Sequence, residues 1–334
     1  MLNLFKRFLF CLEPEKAHDL ALKSIQTLYR LRCSRFFVTT LSQPIKVMGL
    51  TFDNPLGLAA GFDKNADYVD ALASLGFGFI EVGTVTPKPQ EGNPLPRLFR
   101  LKEKEAIINR LGFNNKGVHY AVKKLEKMRY RGVLGINIGK NKDTLLEKAL
   151  DDYLFCFEAI WHLASYVTIN ISSPNTVGLR DLQQTQSLQP LLSALKSAQK
   201  NIAETHGKYV PLVVKISPDL KENELHDMAQ LLLSEKMDGV IATNTTIDHQ
   251  GIEDSPFFNE TGGLSGRPLC ARNTHVIRTL HTILKDHIPI IASGGIMDEA
   301  SAQEKIKAGA TLLQIYTGFI YHGPNLITRV LSSF

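Results

Sequence analysis

The apolar run Tyr166-Val167-Thr168-Ile169 ends in Asn170-Ile171-Ser172-Ser173-Pro174-Asn175-Thr176, a stretch of two amides, three hydroxyls and a proline. That is a poor way to finish a core element and a good way to aim donors and acceptors at a small planar ligand. Other apolar runs end alike, in Thr84-Val85-Thr86, Asn137-Ile138-Gly139, Lys215-Ile216-Ser217-Pro218 and Thr243-Asn244-Thr245-Thr246. An Asn side chain both donates and accepts. A cluster of Asn109, Asn170, Asn175 and Asn244 therefore suits a ring with alternating C=O and N–H groups and a carboxylate, such as a pyrimidine acid. Lys64 and Lys215 also stand at run ends, where a partly desolvated ammonium calls for an anionic partner or ligand. Ser293-Gly294-Gly295-Ile296 and Tyr316-Thr317-Gly318 offer bare backbone N–H groups ahead of helices, an arrangement that favours a phosphate.

These groups converge only if the runs that carry them lie side by side. Eight short apolar runs recur, each followed by a helical pattern: Leu56–Ala60, Phe79–Val82, Val133–Ile138, Tyr166–Ile171, Leu212–Ile216, Gly239–Thr243, Ile288–Ala292 and Leu312–Tyr316. The helices are expected near 65–75, 115–129, 143–164, 187–205, 222–236, 270–286, 299–308 and 323–332. Short β-branched runs alternating with helices mean parallel strands buried on both faces, and eight repeats point to a closed (β/α)8 TIM barrel. A doubly wound open sheet is the alternative, but no GxGxxG turn follows the first run. Pro44–Val47 and Leu50–Phe52, around Met48-Gly49, read as a small hairpin ahead of the barrel. Asn109-Arg110-Leu111-Gly112-Phe113-Asn114-Asn115 falls in the loop after the second run, and Gly262-Gly263-Leu264-Ser265-Gly266 in the loop after the sixth.

Several function classes are disfavoured. Cys11, Cys33, Cys156 and Cys270 show no CxxC spacing, so a zinc or iron–sulfur site is not expected. No metal-ligand spacing of His and carboxylates and no paired catalytic carboxylates stand out. An organic cofactor with a phosphate tail is what remains. The formal charge of +5 lies wholly within residues 1–46, which hold eight Lys/Arg against three acids; the other 288 residues balance, so nucleic acid is not an expected partner. Residues 1–42 read as a pair of amphipathic helices set apart from a 43–334 barrel. Leu2, Leu4, Phe5, Phe8, Leu9 and Leu12 form one face. Ala17, Leu20, Ala21, Ile25, Leu28 and Leu31 form the next, after Glu13-Pro14-Glu15. The first segment is about a dozen residues where a bilayer span needs ~20. Basic flanks with Phe/Leu faces suit helices lying on an anionic membrane surface, and the pattern fits a cap packed on the barrel equally well.

The segments AAGFDKN, EVGTVTP with PRLFRL, NRLGFNN, INIGKN, NISSPNT, VKISPD, ATNTT, GGLSG, SGGI and YTGF occur in order across residues 45–334. Together they resemble dihydroorotate dehydrogenase. The helix pair and the serine inside NISSPNT resemble its class 2 branch, the quinone-using, membrane-associated enzymes.

The resemblance implies FMN as cofactor, (S)-dihydroorotate oxidised to orotate in pyrimidine biosynthesis, and ubiquinone or menaquinone as final acceptor. It assigns the flavin to Ala60, Gly61, Phe62, Asp63, Lys64, Thr84, Asn137, Asn170, Lys215, Thr243, Gly266, Gly295, Tyr316 and Thr317. The substrate falls to Lys64, Asn109, Arg110, Leu111, Gly112, Phe113, Asn170, Asn175, Asn244 and Thr245. Ser173 would remove the C5 proton while the C6 hydride passes to the flavin. A lone serine is a poor base, so a relay through Thr176 and a water under Phe113 is expected. Lys215 is expected at the flavin edge that becomes anionic on reduction. His18, Arg100 and Tyr316 resemble the quinone-facing residues. A monomer on the cytoplasmic face of a bacterial inner membrane is expected. Another FMN barrel acting on a pyrimidine-like substrate, or a silent membrane-bound binding protein, are the alternatives.

Overall fold

The computed structural model describes residues 2–33, 41–176 and 178–334, with the side chains of residues 2–5 outside that description. Eight parallel strands close into a barrel. In chain order they are β3 (Leu56–Leu58), β4 (Phe79–Val85), β7 (Val133–Ile138), β8 (Tyr166–Asn170), β9 (Leu212–Ile216), β10 (Gly239–Ala242), β12 (Ile290–Ser293) and β13 (Leu312–Ile315), and β13 pairs back onto β3. The (β/α)8 expectation therefore holds, and an open sheet does not. Every residue of these strands is buried, which is why they read as continuous apolar runs rather than alternating ones. The surrounding helices are α3 (Val69–Ala73), α4 (Val118–Leu125), α5 (Ala149–Ile160), α6 (Thr185–His206), α7 (Glu222–Ser234), α8 (Cys270–Leu284), α9 (Glu299–Lys307), α10 (Thr317–His322) and α11 (Asn325–Leu331). Helices expected at 65–75 and 143–164 are shorter than the pattern suggested, and the expected 323–332 segment is preceded by a separate turn of helix, α10.

The pleat divides the barrel interior into two levels. Phe79, Val133, Tyr166, Val213, Ile241, Ile291 and Leu312 form an apolar floor. The hairpin β1 (Ile45–Val47) and β2 (Leu50–Phe52) seals it from below, with Phe52 fully buried edge-on against Phe79 at 5.1 Å. Met48 and Gly49 both take positive φ, as a two-residue hairpin turn requires. Two residues further along the same strands, the inward positions are Glu81, Lys215, Thr243, Ser293 and Gln314, so the upper level is polar.

One element departs from expectation. β5 (Leu98–Leu101), β6 (Ala106–Asn109) and β11 (Gly263–Gly266) form an antiparallel sheet over the mouth, although both stretches read as loops. α1 (Leu2–Leu9) and α2 (Pro14–Arg30) lie beside it, α2 packing on α3 and β5. Glu13 caps α2 by accepting the N–H groups of Glu15 and Lys16, worth ~1 kcal/mol for such a cap. Of the expected α2 face, Ala17 is buried and Ile25 packs against the main core, joined by Leu22, whereas Leu28 and Leu31 are exposed. Leu22 and Ile25 meet the barrel because they share a side with Ala17, and the last turn runs past the barrel's edge.

Candidate active site

The polar level opens into a cleft of roughly 1000 Å³, the open mouth included, between the strand ends and the β5–β6–β11 sheet. Its substrate-facing wall is a chain of side-chain hydrogen bonds. Thr84 Oγ1 donates to Asn137 Oδ1 at 2.5 Å, and Asn170 Nδ2 donates to Thr84 Oγ1 at 3.0 Å and to Asn137 Oδ1 at 3.1 Å. Asn244 Nδ2 reaches Asn170 Oδ1 at 3.3 Å and Ser172 Oγ at 3.1 Å, and Asn175 Nδ2 donates to Asn109 Oδ1 at 3.1 Å. Beneath them Glu81, wholly buried, accepts from Asn137, Tyr166 and Gln314 at 2.7–2.9 Å. Each amide is thus fixed in orientation, and the wall cannot rotate its donors to suit a different ligand at no cost.

Ser173 lines the cleft and is 6% exposed; its Oγ accepts only the Asn175 N–H, at 3.3 Å. Three residues on, Thr176 Oγ1 is buried without a hydrogen-bond partner among the described residues. Arg180 anchors this segment from behind. Its guanidinium donates to Ser172 O at 3.1 Å, to Thr245 O at 2.9 Å and to Asp219 Oδ2 at 2.8 Å. Asp219 also accepts from Thr246, Ile247 N and Arg272. Against the upward push of burial, the bonds from Thr246, Ile247 and Arg180 hold its carboxyl below the usual carboxylate range.

Two ammonium groups face the cleft. Lys215 is 6% exposed and makes no side-chain hydrogen bond or ion pair among the described residues; burial pushes its pKa down, with Glu81 opposing. Burial likewise lowers Lys64, opposed chiefly by Glu15. On the far side Gly294 and Gly295, both at positive φ, line the cleft beside Gly266, Thr317 and Ser265, whose hydroxyl meets Thr317 Oγ1 at 2.8 Å. Gly295 is forced: a Cβ there would lie 2.3 Å from Cys270 Cα.

The dihydroorotate dehydrogenase family model matches residues 42–334. The chain belongs to the dihydroorotate dehydrogenase family. Relatives named dihydroorotate dehydrogenase (quinone) include those of Idiomarina loihiensis, 56% identical over 99% of both chains, and Nitrosospira multiformis, 53% identical over 98% of this chain and 94% of that one. Among solved structures, the Eimeria tenella enzyme in complex with ferulenol is 40% identical with a TM-score of 0.86, covering 96% of this chain and 90% of that one. Its ligand-free form is 41% identical, again at 0.86, covering 96% and 94%. Membership makes the protein a flavin-dependent oxidoreductase, and the family's cofactor is FMN.

The cleft fits that cofactor. Lys215 needs an electron-rich partner that the described residues do not provide, and among them Gln314 Oε1 and Thr245 Oγ1 are buried at the cleft without partners of their own. The two-glycine turn leaves backbone N–H groups bare for a phosphate.

Of the residues expected around the flavin, Ala60, Gly61, Lys64, Thr84, Asn170, Lys215, Thr243, Gly266, Gly295, Tyr316 and Thr317 line the cleft. Asn137 lies one layer below, bonded to Thr84 and Asn170. Phe62 and Asp63 do not line it. Phe62 packs edge-on between His18 (4.8 Å) and Tyr316 (5.6 Å), and Asp63 ties the turn into α3 by accepting the N–H groups of Asp67 and Tyr68. Burial raises the Asp63 carboxyl to about 6. Around the substrate, Asn109, Leu111, Gly112, Phe113, Asn170, Asn175, Asn244 and Thr245 line the cleft with Lys64 and Ser173. Arg110 does not. It lies over Phe99 at 4.7 Å and pairs with Glu260 at 2.5 Å, joining the β5–β6 hairpin to the segment before β11. No hydrogen bond links Thr176 to Ser173.

Sequence reasoning missed Gln314, Ser265, Asn114 and Met297 in the lining, and the Arg180–Asp219 anchor behind it. The period of two from Leu312 could have found Gln314. Arg180 carried no signal, being a lone arginine two residues past Gly178.

On the α2 side, His18 Nε2 donates to Phe62 O at 2.8 Å. Burial, with Lys64 adding, pulls its pKa to about 4, so the ring is neutral. Tyr316, lining the cleft, is pushed up to about 12 by burial. Arg100 donates to the carbonyls of Leu9 (3.1 Å) and Leu12 and lies over Phe10 at 4.9 Å.

Proposed function

We propose that the chain oxidises (S)-dihydroorotate to orotate in pyrimidine biosynthesis, with FMN as first electron acceptor and a membrane quinone as the last. The observation that carries this is the fixed set Asn109, Asn170, Asn175 and Asn244 converging on Ser173, with the unpartnered Lys215 behind it.

Bound in the cleft, FMN supplies the two-electron acceptor for the C6 hydrogen. The chain's own residues do the rest. The asparagine amides hold the ring and carboxylate of dihydroorotate in one orientation, and Lys64 offsets the carboxylate charge. Ser173 Oγ removes the C5 proton, and the developing enolate is stabilised by fixed amide donors in a site shielded from bulk water. Thr176, buried and unpartnered, is the group best placed in sequence to pass that proton onward. Gly266, Gly295 and Thr317 would hold the phosphate, and Lys215 the flavin edge that gains charge.

Residues 1–42 form the quinone-access extension to the 43–334 barrel. His18, Phe62 and Tyr316 make an aromatic path from α2 to the cleft, and Arg100 fastens the end of α1 beside it. Phe8, Leu28 and Leu31 leave apolar surface on this pair, 53%, 38% and 65% exposed, among Arg7, Lys23, Arg30 and Arg32. No helix among the described residues is long and apolar enough to cross a membrane. We place the pair on the lipid surface through this apolar and basic face, at the cytoplasmic side of a bacterial inner membrane, with the enzyme acting as a monomer.

An anaerobic spectrum tests the scheme. The purified protein is expected to be yellow, to bleach with dihydroorotate and to recover with a ubiquinone analogue. Colour without bleaching would discard the substrate, and protein that cannot take up FMN would discard the flavin reading.

A further inference from the structure

Lys305 plays no part in the chemistry above, yet its burial has to be explained. It is fully buried in α9, and no carboxylate among the described residues lies within ion-pair distance of its ammonium. Its Nζ donates to Cys270 O and to Thr274 Oγ1, both at 2.6 Å, with Cys270 Sγ 3.7 Å away. The only titratable groups that bear on it are the Cys270 thiol and the Glu304 carboxylate, and burial outweighs both, holding it at about 8. Removing an ammonium from water without a counter-charge costs several kcal/mol even after relaxation.

Its position makes the cost larger. Cys270 is the first residue of the 15-residue helix α8, so Lys305 sits against the positive end of that helix's dipole, where a cation is disfavoured. Two like fields facing one another make sense only with an anion close by. Among the described residues the protein offers the Glu304 carboxylate, 3.9 Å from Cys270 Sγ and beyond ion-pair distance of the ammonium, and it does not offset the burial. The cleft side contains the phosphate-type turn: Gly295 packs so tightly on Cys270 that a Cβ would meet its Cα at 2.3 Å and its N at 2.7 Å. Lys305, Cys270 and the Gly294–Gly295 turn are therefore stacked from the interior outward to the cleft wall.

We propose that Lys305 is a positioning residue for the flavin phosphate, acting through Cys270 and the glycine turn by its charge rather than by contact. It raises the potential at the turn and selects a phosphorylated flavin over the bare nucleoside. This rests on the reading of the cleft as an FMN site.

The test compares dissociation of FMN and of riboflavin from the full-length protein, wild type against Lys305→Met. Riboflavin shares the ring contacts and lacks the phosphate. One charge removed at second-layer distance in a partly shielded site is expected to weaken FMN about tenfold and riboflavin by no more than about twofold. Equal weakening of both ligands would make Lys305 merely structural, and no change in either would leave it without influence; both outcomes overturn the proposal. Should the variant not fold, the wild type decides. The FMN-over-riboflavin preference should fall between about pH 7 and about pH 9, where a lysine lowered in this way loses its proton while the phosphate stays dianionic. A constant preference across that window would sink the idea. Wild-type protein with no preference for FMN at all would instead refute the phosphate placement, and is recognisable before any variant is made.

Discussion

The substrate wall of the cleft and the N-terminal helix pair are held by opposite kinds of bond. The wall is cross-tied side chain to side chain: Thr84, Asn137, Asn170 and Asn244 in one chain, Asn109 to Asn175, and Arg180 to Asp219 behind. The helix pair is tied mostly side chain to backbone. Lys6 donates to Tyr321 O at 2.9 Å, Arg100 to Leu9 O and Leu12 O, and His18 to Phe62 O; the Glu15–Arg97 pair at 2.7 Å is the exception. A side-chain network locks geometry to within a rotamer, which proton removal needs. Bonds to carbonyls fasten an element while leaving its faces free, which suits a lid that must admit a long apolar acceptor.

If that division is real, each half-reaction should fail separately. Ser173→Ala is expected to slow flavin reduction by dihydroorotate by ~10²–10⁴-fold, the usual worth of a positioned base, with flavin content and quinone reoxidation intact. Anaerobic stopped flow separates the two steps, and an equal loss in both would erase the distinction. Deleting residues 1–40 should act in the mirror sense. Quinone reduction should drop by about two orders of magnitude as the acceptor loses its positioning, while flavin reduction stays within a few-fold. Equal loss would make the pair a structural cap. Arg180→Ala removes a charged anchor from Ser172 O and Thr245 O. About tenfold slower flavin reduction, partly restored by Arg180→Lys, is the expected result, with quinone turnover unaffected. A drop in melting temperature with both steps slowed alike would assign Arg180 to the fold instead.

The smallest effect concerns pH. Burial holds His18 at about 4, below its ordinary 6.5, so the stability gained by packing the neutral ring is fully present above pH 6.5 and is lost as pH falls toward 4. Quinone turnover should therefore decline over that window more steeply than flavin reduction. Parallel profiles would remove His18 from the lid.

Much of this was legible from residue order. The barrel strands announced themselves as β-branched runs because both faces are buried, and the hairpin by Met48-Gly49 between alternating residues. The antiparallel sheet was not legible. Its outer strand β11 is Gly-Leu-Ser-Gly, and its partner β6 lies more than 150 residues earlier, so neither periodicity nor turn chemistry links them. Tertiary contact alone decides that a glycine-rich stretch becomes a strand.

The same limit governs individual side chains. That Ser173 and the asparagines belong together follows from their shared place at strand ends, a consequence of how any such barrel presents its residues. That Arg110 turns away to Glu260, and that Lys305 lies under the glycine turn instead of in water, does not follow. Lys305 stands between Glu304 and Ile306 like any surface lysine of an amphipathic helix. Sequence determined the barrel and the chemistry its mouth can offer, because backbone periodicity is local. Only the tertiary structure decided which charges are buried and which face a ligand, because desolvation depends on everything packed around them.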